Sequence, residues 1–128
     1  MNFLIVDDDN LKIEEFTNYL KPIDCFRTKH SYNSGVSELI ENRDKYDALI
    51  LDMDFPKFDD GVVSVNMGIE VLKELKRRDI DIPVVIFSSK YVKTTEYNNI
   101  LDYILYDGMC NMECRIESLR EKLISHNT

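Results

Sequence analysis

Two apolar runs in this chain stop on a carboxylate. Phe3, Leu4, Ile5 and Val6 lead into Asp7, Asp8 and Asp9, and Ala48, Leu49, Ile50 and Leu51 lead into Asp52. Neither run alternates with polar residues, so each reads as a strand buried on both faces, as in a parallel sheet covered on two sides. In an open sheet of that kind, ligands bind beyond the carboxyl ends of the strands, where the strand order reverses. Two adjacent strands ending this way would gather Asp7, Asp8 and Asp52 into one pocket. Paired carboxylates ~4 Å apart repel by roughly 1 kcal/mol in bulk water and by about 4 kcal/mol at an effective dielectric of about 20. A hard cation between them relieves the repulsion, and an oxygen-only donor set suits Mg²⁺.

The remaining pattern extends the same architecture. Asn10 is the expected N-cap of a helix over about 11–20, with Leu11, Phe16, Tyr19 and Leu20 facing inward and Pro22 ending it. Residues 24–30 read as a weaker, edge-like strand. Ser34 is the expected cap of a second helix over about 35–42, with Val36, Leu39 and Ile40 inward. A third helix is predicted from Gly68 to Arg78, on the stripe Ile69, Leu72 and Leu75. Pro83 opens the strand Val84 to Phe87, Tyr91 to Asn99 reads as a short, weakly held helix, and Tyr103 to Tyr106 reads as a fifth strand. The last helix is expected over about 111–125, on Ile116, Leu119 and Leu123. Strands separated by helix-length crossovers give an α/β fold, a doubly wound five-stranded parallel sheet with helices on both faces. The segment from Met53 to Met67 breaks this rhythm, since connections of about 2–6 residues are usual; a loop of that length is expected to be functional or disordered.

Composition bounds the function classes. The 128 residues are 44% hydrophobic, which fits one folded domain over 1–128 with no room for an output domain. No apolar run approaches the ~20 residues that span a bilayer, and Met1 to Leu4 carries no basic n-region, so neither membrane insertion nor secretion is expected. The formal net charge of −8 disfavours nucleic acid and anionic membranes as direct partners. Three cysteines, Cys25, Cys110 and Cys114, make no Cys-x-x-Cys and are expected to be reduced, buried thiols in a cytoplasmic protein. His30 and His126 lack neighbouring ligand types and read as surface residues.

Four segments together resemble the receiver domain of bacterial two-component response regulators. Val6, Asp7 and Asp8 look like the acidic pair after the first strand. Leu51 to Pro56 looks like the phosphoacceptor aspartate with a proline four residues on. Pro83 to Ser89 looks like the fourth strand ending in a phosphate-contacting hydroxyl, which falls on Ser88. Asp102 to Leu105 looks like the fifth strand, with Tyr103 where the family often has its switch aromatic. The resemblance implies a (βα)5 flavodoxin-like fold and transfer of a phosphoryl group from a histidine kinase or phosphotransfer protein to Asp52. It implies Mg²⁺ (or Mn²⁺) on Asp7, Asp8, Asp52 and the backbone carbonyl of Asp54. It also implies a downstream protein target on the face formed by the fourth helix, fifth strand and last helix (the family's α4-β5-α5 face), where Tyr91, Tyr97, Tyr103 and Tyr106 cluster in sequence.

Two departures accompany the resemblance. The family's lysine after the fifth strand is replaced by Tyr106, and the glycine before the third helix, Gly68, lies about eight residues further from Asp52 than usual. A missing lysine removes a charge-assisted contact to the phosphoryl group, a kind worth about 1.5–3 kcal/mol. Lys90 and Lys57 are the candidate replacement cations. The departures favour an alternative, a pseudo-receiver acting as a phosphorylation-independent interaction module. A further alternative is a phosphohydrolase with an aspartate nucleophile, using Asp7 and Asp9 at their two-residue spacing. A flavin site is disfavoured because the first loop lacks the Gly, Ser and Thr that cradle phosphate.

Overall fold

The apolar run after Met1 becomes the second strand of a five-stranded parallel sheet. The computed structural model describes residues 1–126. Its elements are β1 (Asn2–Val6), α1 (Asn10–Thr17), β2 (Cys25–Lys29), α2 (Tyr32–Asn42), β3 (Ala48–Leu51), β4 (Phe55–Pro56), β5 (Val63–Ser64), α3 (Met67–Arg77), β6 (Val84–Ser88), β7 (Ile100–Leu105) and α4 (Met112–His126). The sheet order is β2-β1-β3-β6-β7. The weak strand β2 sits at the edge, and β1 and β3 are central, as their unbroken apolar character requires. The order reverses between β1 and β3, which places Asp7 and Asp52 at the switch point.

Period-2 side-chain alternation splits the core into two layers. Leu4, Val6, Leu49, Leu51, Val84 and Ile86 face α2 and α3, meeting Val36, Leu39, Val71, Leu72 and Leu75. Phe3, Ile5, Ala48, Ile50, Val85 and Phe87 face α1 and α4, meeting Phe16, Ile116, Leu119 and Leu123. Burying a Leu, Ile or Phe side chain stabilises by about 1.5–3 kcal/mol, so these two layers hold the sheet rigid beneath its rim. No described helix is long and apolar enough to cross a membrane.

Several local expectations fail, each for an identifiable reason. Asp9, not Asn10, caps α1, accepting from the amides of Leu11 and Lys12. The helix ends at Thr17, before Tyr19 (48% exposed), and Leu11 (75% exposed) lies outward on its first turn. Phe16 packs inward as expected, joined by Ile13, with Leu20 partly buried against the same layer. Ser31, not Ser34, caps α2, which starts earlier and leaves Ile40 exposed. The thiols of Cys25 and Cys114 are exposed and Cys110 is half-buried, so the expectation of buried cysteines is corrected.

Tyr91 to Asn99 forms no helix. It follows β6 as turns whose buried residues are Thr94 and Tyr97. The expected partner face therefore lacks its fourth helix. It also lacks a continuous aromatic surface, because Tyr97 packs into the core and Tyr106 stands against Phe87 at 5.4 Å. Met53 to Met67 is not structureless either. Its β4 and β5 pair as a short antiparallel hairpin. Asp59 accepts hydrogen bonds from the hydroxyls of Ser31 and Ser34, and the Asn33 amide donates to the Lys57 carbonyl, so the hairpin is fastened to the start of α2.

Candidate metal and phosphoryl site

Parallel pairing aligns the site from the backbone upward. Val6 pairs with Leu51, and the Asp52 amide donates to the Val6 carbonyl, which sets Asp52 beside Asp7 as the two strands end. The Asp7 amide continues the ladder to Lys29. The chain then turns into α1: the Asp9 amide donates to Asp7 Oδ1 at 3.0 Å, fixing the Asp7 carboxylate. Asp7, Asp8 and Asp52 each bring an oxygen to within 4.8 Å of the others. Asp7 and Asp52 are buried, and Asp8 is more open to solvent.

Gly68 permits this closeness from behind. A Cβ there would lie 2.3 Å from the Asp52 carbonyl oxygen and 2.6 Å from Met53 Cε. The Gly68 amide donates to the Met53 carbonyl, so α3 begins in direct contact with the backbone of the acidic strand end. The sequence register of Gly68 is thus kept although the preceding connection has grown by a hairpin.

The electrostatics centre on Lys12, a residue the sequence pattern alone does not single out. Lys12, 3% exposed, extends from α1 into the pocket. Its ammonium lies 2.7 Å from Asp7 Oδ2 and 3.0 Å from Asp52 Oδ1. It also sits 5.0 Å from the ring centroid of Phe87. Burial pushes the Asp7 carboxyl up to about 7, with the Lys12 ammonium opposing the rise and the neighbouring Asp52 adding to it. Burial also raises Asp8. A helical lysine ordinarily marks a solvated face, which is why Lys12 gave no signal. The available clue was its position four residues before Phe16, which puts both on one side of α1.

The other candidate residues fall around this centre. Ser88 ends β6 and is buried; its Oγ accepts from the Lys90 amide at 3.3 Å. The Tyr103 hydroxyl donates to the Lys90 carbonyl at 2.6 Å and accepts from the Val92 amide at 2.9 Å. Lys90 thus links Ser88 to Tyr103 through its own peptide groups. The Lys90 ammonium pairs with Asp54 Oδ1 at 2.7 Å, and that same oxygen accepts from the Asn66 amide. Lys57 lies over the Phe58 ring on the hairpin. Among the described residues, Lys12 is the cation paired with Asp52.

The sequence pattern of the response regulator receiver domain matches residues 3–105. The chain belongs to that family. A receiver of this kind is consistent with two-component signalling. No curated protein sequence matches the chain. Solved receivers share its fold at low identity. The signal receiver domain of a putative Luxo repressor protein from Vibrio parahaemolyticus aligns with a TM-score of 0.74 at 17% identity, covering 97% of this chain and 90% of that one. A response regulator receiver domain protein from Clostridium thermocellum gives 0.73 at 17% identity, covering 98% and 96%. The Mn(2+)-bound form of response regulator Rcp1 gives 0.70 at 18% identity, covering 94% and 91%.

Membership of the family weighs against the hydrolase alternative, and the geometry weakens it further. The Asp9 carboxylate is exposed and engaged as the cap of α1, accepting from the Leu11 and Lys12 amides.

Proposed function

We propose that this receiver accepts a phosphoryl group on Asp52 and signals through protein contacts. The observation that carries the reading is the convergence of Asp7, Asp8 and Asp52 within 4.8 Å at the switch point of the sheet. Three hard carboxylates fit a hard divalent ion, and the Mn(2+)-bound relative supports that choice. Mg²⁺ or Mn²⁺ held by Asp7, Asp8, Asp52 and the Asp54 carbonyl would supply charge neutralisation at the nucleophile and the transferred group.

The chain's own groups do the rest. An Asp52 carboxylate oxygen forms the new bond to phosphorus as the phosphorus–nitrogen bond of a phosphohistidine breaks, its electron pair leaving on the imidazole. Positioning dominates such a transfer, and the paired strands β1 and β3 supply it. Because Ser88 Oγ accepts from the Lys90 amide, its O–H remains available to donate to a phosphoryl oxygen. That contact exists only in the phosphorylated state, so it biases the conformation of residues 88–92. Tyr103, bonded to Lys90 and Val92, carries the bias to the surface of β7. The donor is a histidine kinase or phosphotransfer protein, and the target surface comprises β7, α4 and the turns of residues 89–99.

The test is incubation with Mg²⁺ and acetyl phosphate or beryllofluoride. The expected result is one adduct, seen by intact mass or ¹⁹F NMR, that is lost in Asp52→Asn. A second reading, the pseudo-receiver, is favoured by Tyr106 standing against Phe87 in place of the family's lysine. Retained divalent binding with no adduct from any donor would select it.

A further inference from the structure

We infer that Lys12 is the phosphoryl-pairing cation of this receiver, relocated from the end of the fifth sheet strand to the first helix. The inference rests on the phosphoacceptor reading of Asp52 and assigns the role left open by Tyr106.

Three observations carry it. First, place: Lys12 Nζ is 3.0 Å from Asp52 Oδ1, in direct ion-pair contact with the carboxylate that would become the acyl phosphate. Lys90 pairs instead with Asp54 in a partly exposed contact, and Lys57 lies along Phe58. Secondly, preorganisation: the Lys12 side chain is 4% exposed and held by Asp7 Oδ2 at 2.7 Å, so little ordering remains for the reaction to require. Thirdly, complementarity: the Lys12 ammonium rests 5.0 Å from the Phe87 ring centroid, and Phe87 packs edge-on against Tyr106. An aromatic at position 106 therefore completes the wall that seats Lys12, and a lysine at both positions would bring two like charges toward one carboxylate cluster.

The charge balance agrees. One ammonium among three carboxylates leaves an anionic site that still attracts a divalent ion. In the transfer, Lys12 stays protonated throughout. It pairs with Asp52 before the step and with a phosphoryl oxygen after it, and it neither gives nor takes a proton.

Three arms test the inference, each run in Mg²⁺ with beryllofluoride and acetyl phosphate. In the wild-type protein, the ¹⁵N and ¹H signals of the Lys12 ammonium should shift on beryllofluoride addition and stay fixed in Asp52→Asn. Lys12→Met should slow acetyl-phosphate labelling at least tenfold while tightening Mn²⁺ binding several-fold, because a competing positive charge has gone. Lys12→Met with Tyr106→Lys should recover labelling, a rescue that a purely structural lysine would not show. Should Lys12→Met fold poorly, the wild-type ammonium signal decides alone. An unmoved Lys12 signal beside a formed adduct, or undiminished labelling in folded Lys12→Met, overturns the inference and leaves the Asp52 reading standing. Absence of any wild-type adduct overturns both.

Discussion

Two lysine–aspartate pairs stand at the same rim, and their environments differ. Lys12 meets Asp7 at 2.7 Å with the side chains 4% and 3% exposed. Lys90 meets Asp54 at 2.7 Å with the side chains 36% and 35% exposed. The separation is the same, so distance does not distinguish them; dielectric does. In water a unit-charge pair at ~4 Å gains roughly 1 kcal/mol, and at an effective dielectric of about 20 it gains about 4 kcal/mol. The buried pair gains more and must offset its own desolvation, so its two halves depend on each other. The exposed pair is a loose tether between the β3 exit and the β6 exit.

The largest expected effect comes from unpairing the buried set. Lys12→Met strands Asp7 and Asp52 without a cation, and losing one partner of a buried pair costs about 3–5 kcal/mol. Urea unfolding of wild type and variant in chelator measures it. Saturating Mg²⁺ should recover part of the loss, since an ion that binds the folded state supplies charge and stability together. A variant as stable as wild type in chelator would erase the distinction between the two pairs.

A third pair separates burial from chemistry. Asp24, its side chain fully buried, accepts from Arg120 Nη1 at 3.1 Å and from the Met1 amino group at 3.0 Å. This joins the α1–β2 connection to α4 at the amino ends of β1 and β2, opposite the acidic rim. The Arg120 hydrogen bonds hold the Asp24 carboxyl well below the usual carboxylate range. A carboxyl with a lowered folded pKa contributes stability that is fully present above its unfolded pKa of about 3.9 and is lost as pH falls toward the folded value. Asp24→Asn should therefore cost about 3 kcal/mol at neutral pH, a difference from wild type that shrinks as pH drops below about 4. Mn²⁺ affinity should stay at the wild-type value. A changed affinity would mean that this staple is coupled to the rim.

These contrasts also mark how far the sequence could be read. The unbroken apolar runs of β1 and β3 announced a two-sided parallel sheet, and the acids that ended them announced the pocket, because strand character and strand-end chemistry are local properties. The match of Gly68 survived an enlarged connection because only glycine fits against the Asp52 carbonyl. Lys12 stayed hidden because its burial depends on Phe87, 75 residues away in sequence, and on the aspartates of two strands. The turns of residues 91–99 depart from the expected helix for the same reason. Their backbone is held by Tyr103 and by Asn99, whose side-chain amide donates to the Ile82 carbonyl, and the weak local helical pattern does not outcompete those bonds. The hairpin after Asp52 likewise depends on Ser31 and Ser34 of another element.

The smallest expected effect lies with the exposed pair. Lys90→Ala removes a contact between two side chains that are each about one-third exposed, and such pairs contribute about 0–1 kcal/mol. The Ser88 and Tyr103 bonds use the Lys90 amide and carbonyl, which alanine keeps, so the turn should hold. Asp54 also retains its bond from the Asn66 amide. Unfolding free energy should fall by less than about 1 kcal/mol, and the difference should fade in high salt, where exposed charges are screened within a few ångströms. A loss approaching that of Lys12→Met, or one that persists at high salt, would show that Lys90 and Asp54 are more enclosed than their exposure indicates. The contrast would then rest on something other than burial.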